Sequence, residues 1–286
     1  MKNIRTDLAM EYRTAGVKQG EEDGVRFTHG ELYGFPLTET EVTAGHGEAR
    51  TGKRAGLYLS LETGKLWQSD SDTRHSAVRA VGELIKRLLP EAGEGTVLVA
   101  GLGNEEITAD AIGQRTVKGL VVTHHMKSLC PDLYASLELS DMAAVLPCVM
   151  GQTGLESAVL VRAAAERVSP RCLIVVDALA ARSLSRLGTT VQLTRNGISP
   201  GSGVCNAREE LSEQTMGCPV LAIGVPTVVD ATTLLADAEG AAPKGAEGCF
   251  VTPKEADVMI RVMSRVLASA INEAVHGEGA GEYAPL

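Results

Sequence analysis

The sequence predicts an α/β protein, a mainly parallel sheet flanked by helices. Three observations carry that expectation. Residues 96–100 and 172–176 are short aliphatic, β-branched runs with almost no polar alternation, as strands buried on both faces require. Residues 76–89 and 155–168 instead place apolar side chains three and four apart, the spacing of a helix with one buried face. The two patterns alternate along the chain, and strand–helix–strand succession builds parallel sheets covered by helices.

Taken in order, residues 1–53 are rich in Gly, Glu and Thr, with short apolar stretches such as Tyr33 to Leu37. A few strands added to a sheet edge are expected there. Residues 56–61 alternate apolar and polar, as a half-buried strand does. In 76–89, Val78, Val81, Leu84, Ile85, Leu88 and Leu89 form one helical face, and Pro90 stops the helix. The buried strand 96–100 leads into Gly101, followed by an expected helix at 109–119 and a strand at 120–123. The helix 155–168 precedes the buried strand 172–176, and a helix is expected at 178–184. Strands are expected at 190–193 and 220–223, a helix at 229–236, and a Gly/Ala-rich loop at 239–248. Pro253 opens a long C-terminal helix with Val258, Ile260, Val262, Met263, Val266, Leu267 and Ile271 as its apolar face. Proline in a first turn gives up no intrahelical hydrogen bond. No internal repeat or linker divides the chain, so one domain with an N-terminal elaboration is expected.

Composition narrows the function classes. The 286 residues are 44% hydrophobic and 22% charged, enough for a sizeable aliphatic core. Only 3% are aromatic, which argues against a base-stacking surface. A net charge of −9 repels phosphate backbones, so no direct nucleic-acid partner is expected. The six cysteines lack CxxC pairing and zinc-finger spacing, and read as reduced thiols in the cytoplasm. Residues 1–12 lack the apolar core of a secretory signal, and no apolar run is long enough for a bilayer. No metal, cofactor or membrane partner is expected.

Open α/β sheets place their sites at the carboxyl ends of strands. One such end carries Gly101-Leu102-Gly103-Asn104 and then Thr108-Ala109-Asp110-Ala111-Ile112-Gly113. The glycines suggest a dinucleotide loop, but Glu106 occupies the third glycine position, where it would repel a pyrophosphate, and no P-loop Lys-Ser/Thr follows. Another end carries Asp177, directly after five apolar residues. Burial there raises a carboxyl pKa. Asp110 reads either as a solvated acid at a helix N-terminus or as a catalytic group. Asp177 reads either as a helix N-cap or as a catalytic group. Two carboxylates at one sheet edge cannot both ionise easily, and such a pair can activate water and protonate a leaving amine. Ser202 lies in Gly-Ser-Gly, but Val204 stands where a nucleophile elbow needs its second glycine. His124 and His125 are adjacent, and on a strand they would face opposite ways.

These blocks together resemble the germination protease family of spore-forming Firmicutes. The resemblance runs from Ile4-Arg5-Thr6-Asp7-Leu8-Ala9 through the Asp110 loop, Val149-Met150-Gly151-Gln152-Thr153-Gly154-Leu155-Glu156 and Asp177-Ala178-Leu179-Ala180-Ala181-Arg182. It continues through Pro200-Gly201-Ser202-Gly203-Val204 and Gly224-Val225-Pro226-Thr227-Val228-Val229-Asp230-Ala231 to Val251-Thr252-Pro253-Lys254-Glu255. It implies an endopeptidase that degrades small acid-soluble spore proteins during germination, in the cytoplasm of the forespore and spore core. It also implies a fold similar to the phosphorylase and hydrogenase-maturation-peptidase fold, a homotetramer, synthesis as a zymogen and a metal-free, aspartic-like site. The family's two essential aspartates lie in the blocks matching Asp110 and Asp177.

Family substrates are cut after an acidic residue and before an apolar one followed by Ala. Asp7-Leu8-Ala9 fits, so self-processing between Asp7 and Leu8 is expected, dividing a propeptide at residues 1–7 from a peptidase domain at 8–286. The acidic residue needs a basic pocket, for which Arg115 and Arg182 are the candidates. The chain departs from the family in lacking a long insertion near 239–248, and in having Ser199 where a His is frequent and Cys205 and Ala207 where a Gly and a Lys are. Two alternatives compete: a hydrogenase-maturation-type peptidase, which works around nickel and needs a His where Ser199 stands, and a non-catalytic α/β protein that binds small molecules.

Overall fold

The computed structural model describes residues 6–12, 20–90, 95–201, 208–239 and 246–280. The N-terminal part is a meander of β1 (Gly20–Glu22), β2 (Val25–Leu32) and β3 (Phe35–Val42), followed by α1 (His46–Thr51) and β4 (Gly56–Glu62). The β2–β3 hairpin turns on Tyr33 and Gly34, at φ 51° and 85°. Positive φ at both central residues matches the twist of the paired strands. Then come α2 (Ser71–Leu88), β5 (Val97–Gly101), α3 (Ile112–Lys118), α4 (Met126–Leu129), α5 (Pro131–Leu137), β6 (Met142–Val145), α6 (Met150–Thr153) and α7 (Ser157–Val168). The last third holds β7 (Cys172–Ala181), β8 (Thr190–Thr194), α8 (Glu213–Met216), β9 (Val220–Asp230), α9 (Ala231–Glu239), β10 (Phe250–Val251) and α10 (Ala256–His276).

All ten strands join one sheet in the order β1-β2-β3-β4-β8-β9-β7-β5-β6, with β10 beside β9. Helices cover both faces. Val97, Val99, Ile174 and Val176 point into a large core with α2 and α10, and Leu98, Ala100, Leu173 and Val175 point to the opposite layer with Val161 and Ala165 of α7. This double burial is why these strands read as unbroken apolar runs.

The sheet is mixed rather than mainly parallel. Among the described residues only β5–β6, β5–β7 and β7–β9 pair in parallel, while β8 and the whole N-terminal meander are antiparallel. An apolar run reports burial, which is the same for either direction. Residues 120–123 form no strand. Val121 N–H donates to Asn272 Oδ1 of α10 (3.0 Å) and Thr123 N–H to Met142 O (3.0 Å), so helix and loop contacts replace a ladder. The helix expected at 178–184 is the second half of β7, because 178–181 pair with β9 and Ala180 also pairs with Asp7. Tertiary pairing overrides the helix preference of alanine there. Likewise β9 runs on to Asp230, whose carboxylate accepts from Thr233 N–H (2.8 Å) and caps α9. The loop expected at 239–248 is described only at its ends. Among the described residues, no helix is long and apolar enough to cross a membrane.

Candidate active site

Asp177 lies within β7, not at its end. Its Cα partner on β9 is Gly224, and Gly224 pairs on its other side with Gln192 of β8. Asp177, Gly224 and Gln192 thus form one rung on one face of the sheet. Gly224 makes room in the middle of that rung for the Leu179 side chain, which a Cβ there would meet at 2.4 Å. Asp177 is buried, and its Oδ1 accepts the Ala178 N–H (2.9 Å).

The loop after β5 brings Asp110 to the same place. Leu102 N–H donates to Val176 O (2.9 Å), tying the loop to β7. Gly113, at the start of α3, packs on the same strand, where a Cβ would stand 2.4 Å from Val176 O. Gly103 has φ +93°, and a Cβ there would meet the Asp110 carbonyl oxygen at 2.1 Å. These glycines are spacers for close backbone approach, which explains the Gly-x-Gly pattern without a phosphate. Asp110 follows in a single 3₁₀ turn, and its Oδ2 accepts the Asn104 N–H (2.9 Å).

Both acids are shifted toward the protonated form. Burial pushes the Asp110 carboxyl from 3.8 up to about 6, opposed by the Asn104 N–H. Asp177 is raised well above its ordinary value, first by burial and then by the charge of Asp110, with Asp7 adding to it. The two carboxyls therefore feel one another, and the more deeply buried Asp177 is the one that keeps a proton. Both line a cleft of about 640 Å³ together with Asp7, Lys53, Gln192, Ser199 and Gly224. That is the size of an ordinary ligand site.

The N-terminal segment enters this cleft at Asp7. Asp7 N–H donates to Ala180 O (2.8 Å), and Ala180 N–H donates back to Asp7 Oδ2 (2.9 Å). Leu8 is fully buried with Leu179, Ala181, Leu187 and Val229. Beyond it, the Glu11 carboxylate accepts the N–H groups of Arg182 (2.7 Å) and Ser183 (2.9 Å).

The other sequence candidates lie elsewhere. The Arg182 guanidinium forms a two-pronged pair with Asp237 (2.7 and 2.9 Å) and lines a separate groove with Met10 and Glu11. Arg115 sits on α3 outside the cleft wall. His124 contacts Asp141 (3.0 Å), which also binds Lys127 (2.9 Å) and Thr96 (2.5 Å), while His125 is exposed. Ser202, Cys205 and Ala207 lie outside the described residues. Among the described residues, no group of three or more His, Cys, Asp or Glu side chains converges as a metal site would. Lys53 and Gln192 were not singled out from sequence. Gln192 had a signal, a polar residue between Val191 and Leu193 in an apolar strand. Lys53 had none.

Residues 4–241 match the family model described as germination protease. The chain belongs to the germination protease family. It is 35% identical to the germination protease of Caldanaerobacter subterraneus subsp. tengcongensis, over 95% of this chain and 94% of that protein. It is 33% identical to the germination protease of Clostridium acetobutylicum, over 96% of each. The germination protease of Bacillus pumilus is 40% identical over 82% of this chain and 66% of its own length. Membership of the germination protease family makes the protein a protease, a hydrolase acting on a protein substrate. The matched region takes in Asp7, Lys53, Asp110, Asp177 and Gln192.

Proposed function

We propose that the protein is an endopeptidase with a two-aspartate, aspartic-like site. It is made as a zymogen and degrades small acid-soluble spore proteins during germination by cutting after an acidic residue. The observation that carries this reading is the meeting of two raised carboxyls with Asp7 in one cleft. In the productive state Asp110 is ionised and Asp177 protonated. Asp110 takes a proton from water as the water oxygen bonds to the scissile carbonyl carbon. The carbonyl electron pair moves onto its oxygen. When the C–N bond breaks, Asp177 gives its proton to the leaving nitrogen and the carbonyl reforms. Removal of residues 1–7 by the same step matures the zymogen, leaving residues 8–286 as the peptidase. Homotetramer assembly and residence in the spore core rest on the family resemblance. Ser199 in the cleft wall offers no imidazole, which favours this reading over a nickel-centred maturation peptidase.

The test is to make Asp110→Asn and Asp177→Asn and to follow cleavage of a purified small acid-soluble spore protein. Circular dichroism reports the fold. Both variants are expected to fold and to lose cleavage. Activity within tenfold of the parent in either variant would remove that acid from the mechanism.

A further inference from the structure

We propose that Lys53 and the Ala180 N–H form the subsite that reads the acidic side chain before the cut bond, and that Asp7 occupies it in the uncleaved chain. The inference rests on the endopeptidase reading above and supplies its specificity determinant.

Asp7 lines the cleft, and Gln192, another lining residue, grips the backbone on both sides of Leu8. Gln192 Nε2 donates to Asp7 O (3.0 Å), and Gln192 Oε1 accepts from Ala9 N–H (2.8 Å). Together with the Asp7 N–H to Ala180 O bond, this fixes the register of the segment. Three different surroundings then meet three successive side chains. Asp7 Oδ2 takes the Ala180 N–H (2.9 Å), and Asp7 Oδ1 lies 3.4 Å from Lys53 Nζ. The side chains of Asp7 and Lys53 are only 13% and 17% exposed, so this is an enclosed pair rather than a surface one. Leu8 fills an apolar pocket, and Ala9 is enclosed with Val42 and Tyr58. An acid, an aliphatic and a small residue in sequence are what these three surroundings hold.

Lys53 is the cation of the cleft wall that the structure delivers to the acid. The other described basic side chains lining it are committed, Arg54 to Glu210 and Gln214, and Arg208 to Glu156 (3.6 Å). The lysine is pre-positioned by its loop. Gly52 closes α1 at φ +64°, Lys53 N–H donates to Thr51 Oγ1 (3.1 Å), and Ala55 N–H donates to Glu48 Oε1 (3.0 Å). A neutral amide in place of the acid would leave an enclosed ammonium without its counter-charge. An ion-assisted hydrogen bond of this kind discriminates by about tenfold to a hundredfold.

The test uses the full chain in two arms. In the first, Asp177→Asn blocks turnover, and amide hydrogen exchange is read at Leu8 and Ala9 in that background. Asp7→Asn and Lys53→Met are each expected to speed exchange about tenfold. Because both remove the same pair, the double variant should go no further, and Lys53→Arg should keep protection. In the second arm, self-matured protein with Asp177 intact cleaves peptides carrying Asp-Leu-Ala or Asn-Leu-Ala. The ratio of kcat/KM for the Asp over the Asn peptide is expected to fall at least tenfold in Lys53→Met and to be held in Lys53→Arg. Unchanged exchange in Lys53→Met, additive effects in the double variant, or an unchanged peptide ratio would each overturn the subsite. The expected exchange pattern with no peptide cut by any variant would keep the acid pocket but sink both its role in specificity and the endopeptidase reading.

Discussion

Replacing Asp110 by Asn exchanges a carboxyl that resists ionisation for a neutral group of the same shape. The carboxyl titrates near 3.8 when solvated and at about 6 in the folded protein, because burial penalises its charge. The folded value lies above the unfolded one. The protonated acid therefore contributes stability that is fully present below pH 3.8 and is lost as pH rises through 6. With those two values, the penalty for holding the acid in place is about 0.5 kcal/mol at pH 4 and about 3 kcal/mol at pH 8. Asparagine pays none of this, and its amide oxygen can still accept the Asn104 N–H. Its neutrality also lifts one of the charges that burden Asp177, which acts in the same direction. Asp110→Asn is thus expected to match the parent within about 0.5 kcal/mol at pH 4 and to exceed it by about 3 kcal/mol at pH 8, with peptide cleavage lost. Urea denaturation at pH 4, 6 and 8 measures this directly, provided the m-value is unchanged. A stability difference that does not vary with pH, or a variant less stable than the parent at pH 8, would refute the claim that burial rather than hydrogen bonding governs this carboxyl.

Two further outcomes follow from the geometry. Gln192→Leu keeps the side-chain bulk but removes both bonds to the segment, at Asp7 O and Ala9 N–H. Self-processing at Asp7–Leu8 should slow by about tenfold to a hundredfold, read from the rate at which the shorter species appears on a gel. Gly113→Ala forces a methyl group against Val176 O, Leu102 O and Leu102 N, all backbone atoms that cannot swing aside. It should cost about 3 kcal/mol in urea denaturation and displace the Asp110 loop from β7. A loss under about 0.5 kcal/mol would show that the close approach at Gly113 is not required.

The apolar periodicity of residues 76–89 and 172–176 was enough to place α2 and the first half of β7, because burial on one face or two leaves a direct mark on composition. Asp177 could be marked as an acid embedded after an apolar run, and its burial follows from that position. Its local structure could not. The alanines at 178, 180 and 181 favour a helix in isolation, and only pairing with β9 and with Asp7 holds them extended. Arg115 and Arg182 each follow one of the two acids in sequence, yet Arg182 is drawn to Asp237 and Arg115 stands outside the cleft. Sequence proximity to a catalytic residue says nothing about which way a charged side chain leans.

The sequence by itself determined the α/β class and marked Asp110 and Asp177 as the candidate acids, both from local composition and spacing, while Asp7-Leu8-Ala9 gains its reading as a cleavage site only from the family resemblance. Tertiary structure alone decided that the sheet is mixed, that Gln192 shares a rung with Asp177 across Gly224, and that Lys53 meets Asp7. The contacts of Asp7 with Lys53 and with Gln192 join residues that lie 46 and 185 positions apart. They depend on strand order and register, which are settled by how the whole sheet closes its hydrogen bonds and core, and which no short stretch of sequence encodes.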